Sequence, residues 1–276
     1  MLRRLVLAPI FFCFFSSLVF AASVYDGWWF NPAESGSGLS IGIQGDTMFV
    51  ALYTYDEAGM SLWMTSGAKY DPGNNSYSGR LVYWSLGDES QLTDEDSWWY
   101  TWLPLRPPVP HDKGILSITF TSEDTGVLRY GPESHPIEVP IERFMPQISP
   151  GNPDNRVLGW WYDPEYDGTG VFLEARGGVL FGAWYFYWGN EEESILVPAW
   201  LTFSGSFSPS ARSFSAGTVE WLEGSPLGVP PYKAPKAYEN TLQMRMRLNL
   251  DGSIDMSFTQ TEYNWTHERH MVPFRF

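Results

Sequence analysis

Aromatic side chains form the densest cluster of chemically useful residues in the sequence. Trp98, Trp99, Tyr100 and Trp102 surround Thr101. On an extended strand, Trp98, Tyr100 and Trp102 would share one face, because successive side chains point to opposite sides. Such a face offers a stacking surface for a sugar or an aromatic ligand, and the same ring types also serve as core residues. The pattern therefore predicts either a ligand-binding face or a strand that is buried on both sides.

An acidic segment offers a second kind of chemistry. Asp163, Glu165 and Asp167 are followed directly by Gly168 and, six residues after that, by Glu174. This spacing matches the oxygen ligands and the glycine of a calcium-binding loop. A proline follows the first acidic residue and no helix is expected on either side, so the alternative interpretation is a simple acidic turn. A weakly bound calcium ion is therefore the only cofactor that the sequence suggests.

The other polar motifs do not form a recognisable catalytic pattern. His267 and His270 are three residues apart, and on a strand they would face opposite sides, which does not favour a shared metal. The run from Gly36 to Gly38 lacks the preceding glycine of a nucleophile elbow and the lysine of a phosphate loop, so we interpret it as a tight bend. We therefore assign no catalytic residue.

The charge balance excludes several classes of partner. The chain has 17 basic and 32 acidic residues, for a net charge of −15. A surface of this sign repels phosphate backbones and anionic membranes, so nucleic-acid binding is not expected. The remaining partners are a small-molecule or glycan ligand and another protein.

The N-terminal residues predict export. Arg3 and Arg4 precede an apolar run from Leu5 to Phe20, and small residues follow at a suitable cleavage position. We interpret residues 1–22 as a secretory signal peptide, which places the mature protein in the periplasm or outside the cell, with no membrane insertion after cleavage. The only cysteine, Cys13, lies within this segment. The mature chain is therefore expected to fold without disulfides.

An internal repeat organises the rest of the chain. The segment Gly27–Pro32 recurs as Gly159–Pro164, 132 residues later. Further pairs align at this or a slightly larger displacement: Gly36/Gly168, Gly38/Gly170, Phe49/Phe181, Ala51/Ala183, Tyr53/Tyr185, Tyr55/Tyr187, Trp63/Trp200 and Trp84/Trp221. Each copy is as long as a whole domain and much longer than the repeat unit of a solenoid. We predict a first β domain at 23–146, an extended linker at 147–157 and a second β domain at 158–276.

Within each copy, apolar residues alternate with a period of two. One face of the segment 47–55 is repeated in the second copy, whereas the opposite face changes to Gly182, Trp184 and Phe186. We expect the repeated face to form the interior and the changed face to point outward or into a cleft. On that basis Trp184 and Phe186 join Trp98, Tyr100 and Trp102 as candidate ligand-binding residues.

Short β-rich runs between Gly, Asn and Asp turns predict an all-β protein. We expect two tandem antiparallel meander domains, barrel-like more than sandwich-like. Each copy also contains a proline-rich stretch, Leu103–His111 in the first and Ser225–Pro235 in the second. Because proline cannot donate to a β ladder, both stretches are predicted to be long surface loops, of the kind that often carries function.

The repeated motif resembles a known module. Gly-Trp-Trp followed by an aromatic residue, Asn or Asp, Pro and a later Gly-x-Gly, with a closing Pro-Ile-Glu-Arg-Phe, is similar to a repeat module of uncharacterised exported proteobacterial proteins. That resemblance implies export and a β-barrel-like domain, without an activity. A looser resemblance is to the calycin barrels, the avidins and lipocalins. It implies that Arg143 and Arg275 each pack on a tryptophan of their own first strand.

Three functions are compatible with these patterns. The first is a non-catalytic binding protein that takes a small apolar, aromatic or glycan ligand, not strongly charged, through aromatic side chains. The second is an envelope module for protein–protein interaction or structure, and the third is a hydrolase of unknown type. A deep aromatic pocket would favour the first, a flat apolar patch the second, and converging carboxylates or histidines the third.

Overall fold

The chain folds into two closed β-barrels. In the computed structural model, residues 23–86, 108–166, 168–190, 195–208, 210, 212–260 and 265–276 are described. Each barrel contains eight antiparallel strands, and the described part of the chain has a single short helix. The prediction of an all-β, barrel-like fold is confirmed. No helix among these residues is long and apolar enough to cross a membrane.

The strands follow one another around each barrel. Barrel 1 consists of β1 (Gly27–Phe30), β2 (Gly38–Gln44), β3 (Thr47–Tyr55), β4 (Ser61–Asp71), β5 (Ser76–Leu86), β6 (Pro108–Phe120), β7 (Thr125–Gly131) and β8 (Ile137–Arg143). Helix α1 (Met145–Ile148) follows. Barrel 2 consists of β9 (Gly159–Tyr162), β10 (Gly170–Arg176), β11 (Val179–Asn190), β12 (Ile195–Ser206), β13 (Ser213–Leu222), β14 (Lys236–Leu248), β15 (Ile254–Gln260) and β16 (Trp265–Pro273).

The first strand closes each barrel. Strand β1 pairs with both β2 and β8, and Trp29 lies opposite Arg143. Strand β9 pairs in the same way with β10 and β16, and Trp161 lies opposite Pro273. Because each of the sixteen described strands then has two neighbours, neither barrel has an edge strand among them.

The interior of each barrel is filled by the strand face that differs between the copies. Met48, Val50 and Leu52 of β3 are completely buried in the core of barrel 1. On the equivalent strand β11, Trp184 and Phe186 lie in the core of barrel 2. The expectation that the repeated face is the interior was therefore wrong. Strand periodicity separates two faces, but it cannot say which is inside when both are covered.

The repeated face instead forms the contact between the two barrels. A third apolar cluster joins residues of both barrels: Trp28, Ala51, Tyr53, Tyr55 and Trp63 from barrel 1, Trp160, Phe172, Ala183, Tyr187 and Trp200 from barrel 2, and Met145 of α1. An interface with twofold symmetry presents the same surface from both partners. The two copies therefore share these residues because each copy supplies one half of one interface.

Symmetry-related contacts repeat across this interface. The ring centroids of Trp28 and Phe181 are 5.0 Å apart, as are those of the equivalent pair Phe49 and Trp160. The indole of Trp63 donates to the carbonyl of Phe186 at 3.0 Å. The equivalent bond runs from Trp200 to the carbonyl of Thr54 at 3.4 Å. The two barrels are thus related by an approximate twofold axis.

The segment between the barrels is packed, not extended. Helix α1 begins two residues after β8, and Met145 is completely buried between the barrels. Val157 is also completely buried, in the core of barrel 2. The amide of Asp154 donates to the carbonyl of Ala175 at 2.7 Å. The linker therefore helps to hold barrel 2 against barrel 1.

The second proline-rich stretch crosses from barrel 2 to barrel 1, and we call Ser225–Pro235 the crossing loop. Leu227 belongs to the core of barrel 1, and its amide donates to the Thr54 hydroxyl at 2.9 Å. The Tyr130 hydroxyl donates to the Leu227 carbonyl, and the Gly228 amide donates to Glu34 Oε2 at 2.6 Å. The crossing loop thus places the side chain of Leu227, which belongs to the second copy, in the core of barrel 1.

The first proline-rich stretch differs from the prediction in part. Residues 108–111, expected in a surface loop, belong to strand β6. Residues 103–107 lie outside the described part of the chain. Pro108 is tolerated because it is the first residue of its strand, a position where proline is accepted.

The two C-terminal arginines have different roles. The guanidinium of Arg143 lies 5.7 Å from the ring centroid of Trp29, as the resemblance to calycins implied. Arg275 is exposed and follows the last strand, so the expectation was wrong for this residue. The strand pairing shows why: Pro273, not Arg275, occupies the position equivalent to Arg143.

The crossing loop generates a stability prediction. Replacing Leu227 with Ala should lower the free energy of unfolding by about 2–5 kcal/mol, because it leaves a cavity in the core of barrel 1. Urea denaturation followed by tryptophan fluorescence measures the change. Val229→Ala is the matched control, since Val229 lies in the same loop and is 37% exposed. If both substitutions have equal and small effects, Leu227 does not fill the core of barrel 1.

Candidate functional site

The described candidate ligand-binding residues lie in a packed core. Trp184 and Phe186 are each 4% exposed, and their rings stack 4.3 Å apart inside barrel 2. Trp184 also stacks on Phe258 at 4.1 Å. The structure therefore places both residues in the interior and not on a ligand-binding surface. The other three candidates, Trp98, Tyr100 and Trp102, lie outside the described residues.

The candidate calcium ligands have other partners. Asp163 Oδ1 accepts the amide of Glu165 at 3.0 Å, which is the bond of a tight acidic turn. Glu174 is completely buried and accepts the amide of Trp28 at 2.9 Å. Asp167 is not described. Within the described ranges, no three His, Cys, Asp or Glu side chains gather closely enough to hold a metal ion.

A cavity between the barrels is the candidate site. It measures about 290 Å³ and is lined by residues from both barrels. Its aromatic lining comprises Trp28, Trp29, Phe30, Tyr53, Phe144, Phe181, Trp200 and Trp221. Its other lining residues are Ser35, Gly36, Ser37, Gly38, Ala183, Thr202, Ala234 and Pro235. An apolar concavity at an interface of domains is a common position for a small-molecule site.

The aromatic lining forms a continuous chain of ring contacts. Phe30 meets Phe144 at 5.3 Å and Phe144 meets Phe181 at 5.0 Å between ring centroids. The chain continues from Phe181 to Trp28 at 5.0 Å and from Trp28 to Tyr53 at 5.4 Å. A last contact joins Tyr53 to Trp200 at 5.7 Å, with the planes at 74°. Most neighbouring rings in this chain meet edge to face, with their planes steeply inclined to each other.

The cavity runs from a buried floor to an exposed rim. Trp28, Tyr53 and Trp200 at the floor are each no more than 5% exposed. Ser35 and Ala234 at the rim are exposed. Ala234 belongs to the crossing loop, which is fastened to the rim where the Tyr232 hydroxyl donates to the carbonyl of Ser35 at 2.9 Å. The crossing loop, which contributes Leu227 to the core of barrel 1, therefore also shapes the entrance of the cavity.

The polar side chains of the lining are mostly engaged with one another or with neighbours. The indole of Trp221 donates to the Thr202 hydroxyl at 2.8 Å. The Ser40 hydroxyl donates to the Tyr53 hydroxyl at 3.2 Å. Burial raises the pKa of Tyr53, so its ring is neutral at physiological pH. The deep part of the cavity is consequently uncharged and apolar.

One buried donor of the lining has no partner within the described part of the chain. The indole nitrogen of Trp28 has no hydrogen-bond acceptor there, but neither has that of Trp160. The two positions are equivalent, and only Trp28 lines the cavity. The unpaired donor is therefore a feature of both halves and does not by itself indicate a ligand.

A buried ionic cluster joins the two barrels and contacts Trp28 and Trp29 of the cavity lining. Glu174 Oε1 of barrel 2 lies 3.1 Å from Arg176 Nε and 3.9 Å from Arg143 Nη2 of barrel 1. Arg143 also donates to the carbonyls of Val24 and Asp26. Breaking such a buried pair costs more than its formation contributes, because the remaining charge stays buried. The cluster therefore fixes how the two barrels fit together.

Asp26 adds a titratable group to this cluster. Its carboxylate accepts the amides of Ser23 at 2.9 Å and Ile43 at 2.8 Å. Burial raises the pKa of Asp26 to about 6, and the hydrogen bonds and Arg143 offset the shift only in part. Burial also raises the pKa of Glu174. Protonation near neutral pH is therefore easier here than at an exposed carboxylate.

Comparisons with known proteins leave the site to be interpreted from its own geometry. No protein-family model, curated protein or solved structure matches the chain.

Most of the lining residues belong to the repeat that was recognised in the sequence, but the sequence did not show that they line a cavity between the barrels. Trp28, Tyr53, Phe181 and Trp200 all belong to the repeated motif. Their repetition was interpreted as evidence for two separate interiors, whereas it records one shared interface. The crossing loop was the better signal, since it was predicted to carry function and it lines the entrance.

The raised pKa of Asp26 predicts an unusual pH dependence of stability. The folded state holds this proton more tightly than the unfolded state, whose pKa is near the ordinary 3.8. The contribution of Asp26 is therefore fully present below pH 4 and is lost as the pH rises through about 6. Relative to Asp26→Asn, the wild-type protein should lose about 2–4 kcal/mol between pH 4 and pH 7.

Chemical denaturation at several pH values tests this prediction. Asp46→Asn is the control, because Asp46 is exposed and Lys69 lowers its pKa. The control should show no such loss between pH 4 and pH 7. If the difference between wild type and Asp26→Asn does not change with pH, the carboxyl is not buried in the way that the structure describes.

Proposed function

We propose that this protein is an exported, non-catalytic binding protein that holds one small molecule in the cavity between its barrels. The observation that supports the proposal most directly is the chain of six aromatic rings around an uncharged cavity. Aromatic side chains supply large contact areas with few rotatable bonds, so a site built from them loses little entropy on binding.

The volume limits the size of the ligand. A cavity of ~150 Å³ in another protein is known to bind benzene. A cavity of about 290 Å³ therefore suits a ligand of roughly ten to fifteen non-hydrogen atoms. This size corresponds to one ring system or one short branched compound, and not to an oligosaccharide chain or a long lipid.

The construction of the site supports binding in preference to catalysis. Five of its six contacting rings stand on strands and the sixth, Phe144, directly follows β8, while its floor lies in the inter-barrel contact, so packing holds the rings in place. None of the sixteen lining residues is a histidine, carboxylate, lysine or arginine. General acid–base chemistry would require such a group within reach of the ligand.

Trp221 and Trp84 provide a matched pair of variants. Both indoles donate to a threonine, Trp221 to Thr202 at 2.8 Å and Trp84 to Thr65 at 2.7 Å. They are equivalent in the two copies, but only Trp221 lines the cavity. We expect Trp221→Leu to weaken ligand binding at least tenfold, a loss of about 1.4 kcal/mol, while Trp84→Leu leaves binding unchanged.

The measurement is a fluorescence titration of the mature protein with a panel of small apolar, aromatic, saccharide and ammonium compounds. Ala183→Leu is a second variant, in which the added side chain enters the cavity without removal of a ring. It should abolish the response to any compound that binds. A panel compound whose binding survives both Trp221→Leu and Ala183→Leu would show that the site lies elsewhere.

A further inference from the structure

The lining of the cavity restricts the chemistry of its ligand beyond size. The four hydroxyl side chains of the lining are Ser35, Ser37, Tyr53 and Thr202. Thr202 and Tyr53 each already accept one hydrogen bond, from Trp221 and Ser40, so each oxygen keeps only part of its capacity to accept another. Ser35 lies at the exposed rim. These four hydroxyls are the only side-chain oxygens among the lining residues, so the cavity offers few acceptors to a ligand that carries several N–H or O–H donors.

This restriction disfavours sugars and primary ammonium compounds as ligands. A buried sugar presents several hydroxyl groups, and each one left without a partner costs binding free energy. A primary ammonium group presents three N–H donors with the same difficulty. A fully alkylated ammonium group carries a positive charge but has no N–H donor. It can therefore enter such a cavity without leaving a donor unsatisfied.

The electrostatics of the site favour the same class. Aromatic faces attract cations, and enclosures built from several rings are the usual means of recognising quaternary ammonium groups. No lining residue is basic. The nearby Arg143 is bound to two backbone carbonyls and lies 3.9 Å from Glu174. The net charge of −15 adds a long-range field that attracts cations to the protein.

We infer that the cavity between the barrels binds a small organic cation with a quaternary ammonium group. The inference rests on the proposed function and names the ligand class of the same site. It differs from the expectation that the ligand is not strongly charged. That expectation came from the acidic charge balance and the aromatic cluster at Trp98–Trp102, without knowledge of a cavity lined by six contacting rings and few side-chain oxygens.

A pair of isosteric probes tests the inference on the intact mature protein. Choline and 3,3-dimethylbutan-1-ol have nearly the same shape, but only choline carries a charge. Isothermal titration at constant ionic strength should give choline at least about tenfold tighter binding than the neutral alcohol. Trp221→Phe should weaken choline more than the alcohol, because indole is the better cation–π partner. Trp84→Phe, outside the cavity, should change neither.

Each result decides the inference. Tighter binding of choline, reduced by Trp221→Phe and abolished by Ala183→Leu, supports it. Equal or tighter binding of the neutral alcohol overturns the inference and leaves the proposed function standing. Absence of binding by both probes while a neutral aromatic compound binds does the same. If no compound of any class binds to the folded protein, both the inference and the proposed function fail.

Discussion

The mutual burial of two aromatic strand faces is the interaction on which the rest of this structure depends. A closed barrel needs its interior face for its own core, so aromatic side chains on the outer face of β3 or β11 would be exposed in an isolated barrel. Phe49, Tyr53 and Tyr55 and their equivalents in the second copy avoid water only because the barrels face each other. The hydrophobic effect therefore favours the pair of barrels over either barrel alone.

The cavity arises where the two halves of this interface differ. Around Phe181 the rings of Trp28 and Phe144 leave a space that opens toward the crossing loop. Around the equivalent Phe49, Phe274 takes the place of Phe144 at 5.1 Å, and the ring of Phe276 adds a further contact at 5.6 Å. Near-symmetry produces the aromatic walls, and local departures from symmetry decide which side keeps room for a ligand.

The fold could be predicted from the sequence to the level of two barrels, because the repeat, the turns and the period of two are local signals. The assignment of faces could not, since a face packed on another domain and a face packed in a core have the same apolar pattern. The role of Leu227 was also hidden: a leucine in a proline-rich loop carries no sign that it fills the other barrel. Arg275 was misassigned because similar sequence ends were aligned without the strand register.

The site predictions failed for the same reason, because a local sequence pattern does not show which residues meet in the folded chain. Trp184 and Phe186 were chosen because they differ between the copies, yet cores also diverge when one barrel replaces aliphatic side chains with rings. Glu174 was chosen for its position in a calcium-like spacing. In the structure Glu174 stands at the position equivalent to Gly42 of the first copy, and its buried carboxylate faces Arg143 of the other barrel. Spacing along the chain could not reveal a partner from the other barrel.

A double-mutant cycle between Phe49 and Trp160 tests the central claim most directly. These rings come from different barrels, lie 5.0 Å apart and do not line the cavity. The free energy of unfolding would be measured for wild type, Phe49→Leu, Trp160→Leu and the double variant. Direct packing of the barrels predicts a coupling free energy of about 0.5–1.5 kcal/mol. Effects that add within about 0.3 kcal/mol would mean that the two faces do not meet.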